Sequence, residues 1–244
     1  MEQNNKNRRS FIKYTGTALV AGTVLPFGFN IREGFAGQRA KLKVGLIGCG
    51  GRGTGAAAQA LKADKDAELT AMGDIFADYL EESYQSLIKI NPEQVKVDEA
   101  HKFIGFDAIQ QVIDSGVDVV ILTTPPAFRP AHFKAALDAG KHVFCEQPVA
   151  VDAPGVRSVL ESARLAKEKG LSVVSGFTFR YDFPKRAIFE RIKGGEIGEI
   201  TDVFTARNGG GLWYKERQDS WTEMEYQLRN WYYYDWLSGD YIVE

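Results

Sequence analysis

Six residues, Gly48-Cys49-Gly50-Gly51-Arg52-Gly53, have the spacing G-x-G-x-x-G and directly follow a short apolar run. Each glycine has its own task in such a loop. Gly48 permits a tight turn, Gly50 lets a pyrophosphate approach the backbone, and Gly53 lets the next helix lie close to the strand. The unsatisfied N–H groups where that helix starts, at Gly51 and Arg52, and the positive end of its dipole then attract the phosphates. About twenty residues past Gly53 a second apolar run ends on Gly73-Asp74, where an acid is expected to hold a ribose. Asp74 would accept from both ribose hydroxyls and repel a 2′-phosphate. No arginine follows it at once to rescue that phosphate, although Arg52 lies in the loop. The pattern favours NAD over NADP.

Two further apolar runs close on polar residues. Residues 117–122, rich in Val and Ile, lead into Thr123-Thr124-Pro125-Pro126, a wall for the crevice at the carboxyl end of a sheet. His132, on the helix that follows, is assigned a contact role there, against the alternative of a structural or solvated histidine. Residues 140–145 run into Glu146-Gln147-Pro148. Pro148 removes a ladder donor and biases Gln147 away from helix, so the chain must leave the sheet and deliver a carboxylate and an amide to its edge.

The elements needed to position these groups can be read in order. Strands are expected over residues 43–48, 67–72, 101–104, 117–122, 142–145 and 171–177. Helices are expected over 53–61, 78–90, 130–139 and 152–169, with another opened by Asp107 as N-cap. Short loops between alternating strands and helices specify an α/β fold, a doubly wound Rossmann parallel sheet. After about residue 183 the character changes. A helix over 184–193, a Gly-rich turn and a strand over 199–207 lead into an aromatic tail, so we place a domain change there. The divisions are 1–40, 41–180 for the NAD-binding domain, and 181–244 for a partial α/β substrate domain with an open sheet.

The order of these motifs resembles the Gfo/Idh/MocA oxidoreductases, the glucose–fructose oxidoreductase and inositol dehydrogenase family. The resemblance rests on the strand with Thr123-Thr124-Pro125, His132, the run from Ala139 to Val143, Glu146-x-Pro148, Gly176-Phe177 with Arg180-Tyr181, and residues 195–200. It implies a small carbohydrate substrate, with hydride passing between NAD(P) and a sugar, polyol or glycoside carbon; the alternatives are a redox-neutral NAD-using glycoside-cleaving enzyme and a non-catalytic NAD- or sugar-binding protein. It also implies that Glu146 belongs to the floor of the cofactor site and that Arg180 and Tyr181 lie near the nicotinamide end. The family pattern is similar to Glu-Lys-Pro, so Gln147 is a departure. A lysine can relay a proton, whereas an amide only donates and accepts hydrogen bonds. We therefore expect Gln147 to orient the substrate, with the base elsewhere, beyond Glu244. Tyr181 is a candidate acid or base, or a plain hydrogen-bonding group.

The tail holds Trp213, Trp221 and the run Asn230-Trp231-Tyr232-Tyr233-Tyr234-Asp235-Trp236, interleaved with Arg217 and Arg229. Flat rings beside Arg and Asp suit sugar faces and rims, so Trp213, Arg229 and Tyr234 join Arg180 as substrate candidates. The same residue types also fill cores and oligomer interfaces. The chain ends on an apolar run, so we expect it to be C-terminally truncated, with a small appended layer as the alternative.

Over 244 residues, 44% are apolar and the net charge is −2, which gives no reason to expect nucleic acid or an anionic membrane as partner. Two cysteines, Cys49 and Cys145, are too few for a disulfide scaffold and are read as unpaired. We assign no metal ligands and expect a homo-oligomer. Residues 7–13 contain Arg8-Arg9-Ser10-Phe11, and no acid follows before Ile31. A basic zone, a mild apolar zone and small residues resemble a twin-arginine export signal, against the plainer alternative of a basic tail. A periplasmic or other extracytoplasmic location is the expectation.

Overall fold

The computed structural model describes residues 41–206, 208–240 and 243. The expected export signal over residues 1–40 lies outside the described residues.

Val, Ile and Leu in short runs bounded by glycine make strands buried on both faces, as a parallel sheet requires. Six form: β1 (Leu42–Ile47), β2 (Ala67–Asp74), β3 (Lys102–Ile104), β4 (Val119–Leu122), β5 (His142–Cys145) and β6 (Val173–Ser175). All neighbouring pairs are parallel, in the order β3-β2-β1-β4-β5-β6. Between them run α1 (Gly51–Ala63), α2 (Ala77–Ile90), α3 (Ala108–Asp114), α4 (Arg129–Asp138) and α5 (Ala153–Glu168). This is a Rossmann-like doubly wound sheet, and the order in which strands are added reverses between β1 and β4. A crevice must open there at the carboxyl ends of the strands.

The core has two halves, one on each face of the sheet. Leu46, Leu61, Leu69, Leu80 and Leu87 pack under α1 and α2, while Val112, Val120, Phe133, Leu137 and Val143 pack under α3 and α4. Each such side chain contributes about 1.5–3 kcal/mol by leaving water, so the strand ends are held by a stiff scaffold. Asp152 caps α5 by accepting from the Gly155 N–H at 2.7 Å. Asp107 precedes α3 but makes no side-chain cap bond.

Beyond β6 come α6 (Thr178–Tyr181) and α7 (Phe183–Lys193), then an extended stretch, then α8 (Glu223–Arg229), a 3-10 turn (Trp231–Tyr233) and α9 (Asp235–Ser238). The strand expected over residues 199–207 does not form among the described residues: residues 201–206 have no regular structure and are exposed. Ile200, Val203 and Phe204 are good strand formers, but no neighbouring strand offers them a ladder, and an unpaired strand is not stable in water. Among the described residues the only sheet is the six-stranded one. No described helix is long and apolar enough to cross a membrane.

Candidate functional site

The glycine loop leaves the end of β1 with Gly48 at φ +90°, a left-handed conformation that disfavours any side chain. A Cβ on Gly48 would sit 2.8 Å from the backbone of Thr123 and Thr124. One on Gly53 would lie 1.9 Å from the Gly48 carbonyl oxygen, so the start of α1 touches the strand end as closely as glycine allows. Gly50 and Gly51 have nothing within 4 Å of the same position, which leaves their outer side open. Gly50 gives the helix no side-chain cap, so the first-turn N–H groups remain for an anion. Thr123 holds the loop from β4, its hydroxyl donating to the Gly48 carbonyl at 2.6 Å or the Ile47 carbonyl at 2.9 Å.

Asp74 stands beside this loop at the end of β2. Its carboxylate accepts from the Cys49 N–H at 2.6 Å and the Phe76 N–H at 2.9 Å. A carboxylate has about four acceptor positions, so two backbone donors orient it and leave room for ribose hydroxyls. Burial pushes its carboxyl above the usual range, the backbone donors opposing that shift. The cavity over it is lined by Gly48, Gly50, Asp74, Phe76, Pro125 and His132, among others.

Across the cavity His132 lies 3.1 Å from the Thr124 hydroxyl through Nδ1 and stacks on Phe128. Burial lowers the His132 pKa to about 4, so it is neutral near pH 7. It can exchange hydrogen bonds but carries no charge to a phosphate.

At the end of β5, Glu146 is buried and takes two contacts from the Arg52 guanidinium, 2.7 Å from Nε and 2.5 Å from Nη2. The phosphate loop is thereby tied to the next strand end. Gly176, at the end of β6, comes so close that a Cβ there would lie 2.7 Å from a Glu146 oxygen. The Gln147–Pro148 peptide is cis, and buried Arg129 donates to the Pro148 carbonyl. Gln147 is half-buried and lines neither of the two cavities of the crevice.

Residues 42–177 match the oxidoreductase family with an NAD-binding Rossmann fold, Gfo/Idh/MocA. The chain belongs to this family.

The myo-inositol 2-dehydrogenase of Thermotoga maritima is 29% identical over 158 residues, covering 65% of this chain and 42% of that protein. The 2,7-anhydro-N-acetylneuraminate hydratase of Escherichia coli is 31% identical over 125 residues, 51% of this chain and 32% of that protein. Among solved structures, the scyllo-inositol dehydrogenase of Lactobacillus casei with bound NAD(H) and scyllo-inositol superposes with a TM-score of 0.53. It shows 26% identity over 66% of this chain and 43% of that one. This Gfo/Idh/MocA chain thus spans less than half the length of these relatives.

Of the residues expected to hold the cofactor, Gly48, Gly50, Asp74, Thr123, Thr124, Pro125 and His132 line one cavity. Gly50, Gly51, Arg52, Gly53 and Thr123 line a second, adjoining one at the start of α1. Glu146 reaches the loop through Arg52. Trp213 lines the second cavity. Arg180 and Tyr181 line neither; both are exposed on α6, Tyr181 by 57%, and the Arg180 guanidinium lies 5.9 Å from the Phe177 ring. Tyr234 is half-buried, and its ring centroid lies 6.4 Å from that of Tyr226.

Arg229, expected to contact the sugar, lines the second cavity and is also tied to two carboxylates. Its Nη1 and Nη2 donate to the two Asp78 oxygens at 2.8 and 3.2 Å, and its Nε donates to Glu225 at 3.0 Å. The guanidinium is buried and lies 3.9 Å from the Phe76 ring and 4.8 Å from that of Trp221. Those carboxylates hold its pKa above the ordinary arginine value, against the opposing effect of burial. Three of its five N–H donors thus clasp the tail to α2 and α8. Sequence reasoning missed Trp231, which lines both cavities, and Lys215, which lines the second. Trp231 lay within the aromatic run already singled out; Lys215 carried no signal.

Proposed function

We propose that this chain binds NAD and acts in hydride transfer to or from a carbon of a sugar or polyol. The observation that carries this is the open, uncapped start of α1 facing a glycine loop, with Asp74 oriented beside it by two backbone N–H groups. The residues fit the cofactor. The Gly53 position has no room for a Cβ, the outer sides of Gly50 and Gly51 are open, and the ribose acid has acceptor capacity left. The carboxylate of Asp74 favours NAD over NADP by charge.

When bound, NAD supplies a nicotinamide that accepts or returns hydride. The chain's own residues do the rest. The N–H groups of Gly51, Arg52 and Gly53 hold phosphate oxygens, Asp74 accepts from the ribose, and Thr124, Pro125 and His132 wall the crevice. Arg52 fixes Glu146, and the Gln147 amide orients a substrate hydroxyl as donor and acceptor. Removal of the hydroxyl proton is assigned to a group outside the described residues, because His132, with a pKa lowered to about 4, is a weak proton acceptor.

A second reading keeps NAD within the site through a redox-neutral cycle, in which transient oxidation acidifies a neighbouring C–H and permits elimination. A hydratase among the relatives favours it. Export through the Arg8-Arg9 signal belongs to the same proposal, since a retained cofactor suits a protein folded before export. A homo-oligomeric assembly belongs to it too.

The test is to purify the protein, assay bound nicotinamide by mass spectrometry and absorbance, and add polyols, sugars and glycosides. NADH accumulation supports the dehydrogenase, and substrate conversion without it supports the redox-neutral cycle. Asp74→Ala should weaken NAD binding by about tenfold or more, as expected for losing charge-assisted hydrogen bonds, and narrow the preference over NADP. Wild-type protein that binds no dinucleotide refutes both readings.

A further inference from the structure

The two cavities of the crevice meet at four residues common to their linings: Gly50, Tyr79, Thr123 and Trp231. Gly50 and Thr123 belong to the floor, at the phosphate loop and the end of β4. Trp231 comes from the far end of the chain. One cavity holds Asp74, and the other holds the uncapped start of α1 together with Arg52, Lys215 and Arg229. Trp231 therefore stands where a ribose would give way to a pyrophosphate. Its indole N–H meets no acceptor among the described residues.

Both sides of the crevice are fastened to the segment that carries it. On the β2 side, Arg229 grips Asp78 in the first turn of α2 and stacks on Phe76, whose own N–H orients Asp74. On the β4 side, the Ala127 N–H donates to the Leu237 carbonyl at 3.2 Å, and Trp236 meets Phe128 edge-on. Between these points buried Asn230 accepts from the Lys215 N–H at 2.8 Å and donates to the Lys215 carbonyl at 3.0 Å. Trp213, 6.2 Å from Trp231 between ring centroids, backs the indole. A segment pinned on both sides spans the mouth of the crevice.

We propose that Trp231 contacts the bound dinucleotide and that Arg229 is its positioning residue, so that the tail forms the outer wall of the cofactor site. This rests on the NAD reading above. The indole offers an apolar face to the ribose and an N–H donor to a phosphate oxygen. Release of the dinucleotide then requires the Arg229–Asp78 clasp to open.

The experiment measures NAD affinity, NADH release rate and quenching of tryptophan fluorescence by NADH on the 244-residue chain. Wild type is compared with Trp231→Ala, Trp231→Phe, Asp78→Asn and Asp74→Ala. Trp231→Ala should weaken NAD and speed NADH release by about tenfold, as losing an apolar ring face and an N–H donor together does. Trp231→Phe should keep most of the affinity and lose part of the quenching. Asp78→Asn, which frees the clasp from its other end, should speed release while leaving Trp231 in place to quench weakly. If wild type binds NAD and Asp74→Ala weakens it, yet both Trp231 variants bind and release like wild type, the outer wall is refuted and the cofactor reading stands. If wild type binds no dinucleotide, the cofactor reading falls and this inference with it.

Discussion

Two segments follow the sheet, both rich in aromatic residues, and they meet opposite fates. Residues 178–206 leave their rings in water, with Phe183 79% and Phe204 90% exposed. Residues 212–240 dock, burying Leu237 completely and Arg229 to 8%. Composition separates the two in degree, five aromatic residues against nine in equal lengths, but does not by itself dock either one. What separates them is a surface of matching chemistry: the crevice offers Phe76, Tyr79 and Phe128 as apolar walls and Asp78 as a charge partner. Arg229 answers all of these but Phe128 at once, by forked hydrogen bonds and flat stacking, which a lysine could not do. The exposed segment carries apolar residues too, but none of them reaches a wall.

The comparison makes Arg229→Ala the most damaging change outside the core. Removing one member of a buried ion pair costs about 3–5 kcal/mol. Asp78 is half exposed and its contribution is screened, so about 2–3 kcal/mol is expected here, lost packing included. The loss should be local. Hydrogen exchange at the amides of Asn230 and Leu237 should accelerate roughly fiftyfold, while amides in β1 and β4 keep their protection. Equal protection in both proteins would show that the rings alone hold the tail.

The sheet half of the molecule was legible because its signals are local. The glycine loop, Asp74, and β5 from His142 to Cys145 depend on spacing and on alternation of apolar runs with glycine, and the strands appear in the expected order. The docked tail was not legible for the opposite reason. Arg229 finds Asp78 at a separation of 151 residues, and Arg52 finds Glu146 at 94. Nothing within either neighbourhood announces the partner. Arginine among aromatics suits a sugar, and the same chemistry also lets Arg229 pair with Asp78 and lie over Phe76. The false strand at residues 199–207 fails similarly, since a strand is defined by a neighbour that local pattern does not reveal.

Acid should test the β4 side of the docked region. His132 stacks on Phe128, which Trp236 also meets. Its folded pKa is about 4, below the unfolded value near 6.5, so the unfolded chain binds the extra proton first. The stability from keeping His132 neutral is present above pH 6.5 and is lost as pH falls toward 4. Between pH 7 and pH 5 the loss amounts to about 2 kcal/mol by linkage. Urea midpoints at the two pH values would read it, and His132→Gln should flatten the difference. An equally steep fall in that variant would place the sensitivity elsewhere.

The smallest effect belongs to the segment that does not dock. Ile188 and Phe189 on α7 are 57% and 59% exposed, and no residue of that helix is buried. Replacing both by serine removes apolar surface that already faces water, so stability should change by less than about 0.5 kcal/mol. Serine ranks with isoleucine and phenylalanine as a helix former, so propensity changes by no more than tenths of a kcal/mol. Solubility should rise, because a contiguous apolar patch favours association. A drop of 2 kcal/mol or more in the urea-derived stability of Ile188→Ser, Phe189→Ser would mean that α7 is covered in solution. The contrast between a docked and an undocked segment would then fail, and with it the claim that the crevice walls alone decide which aromatic residues are buried.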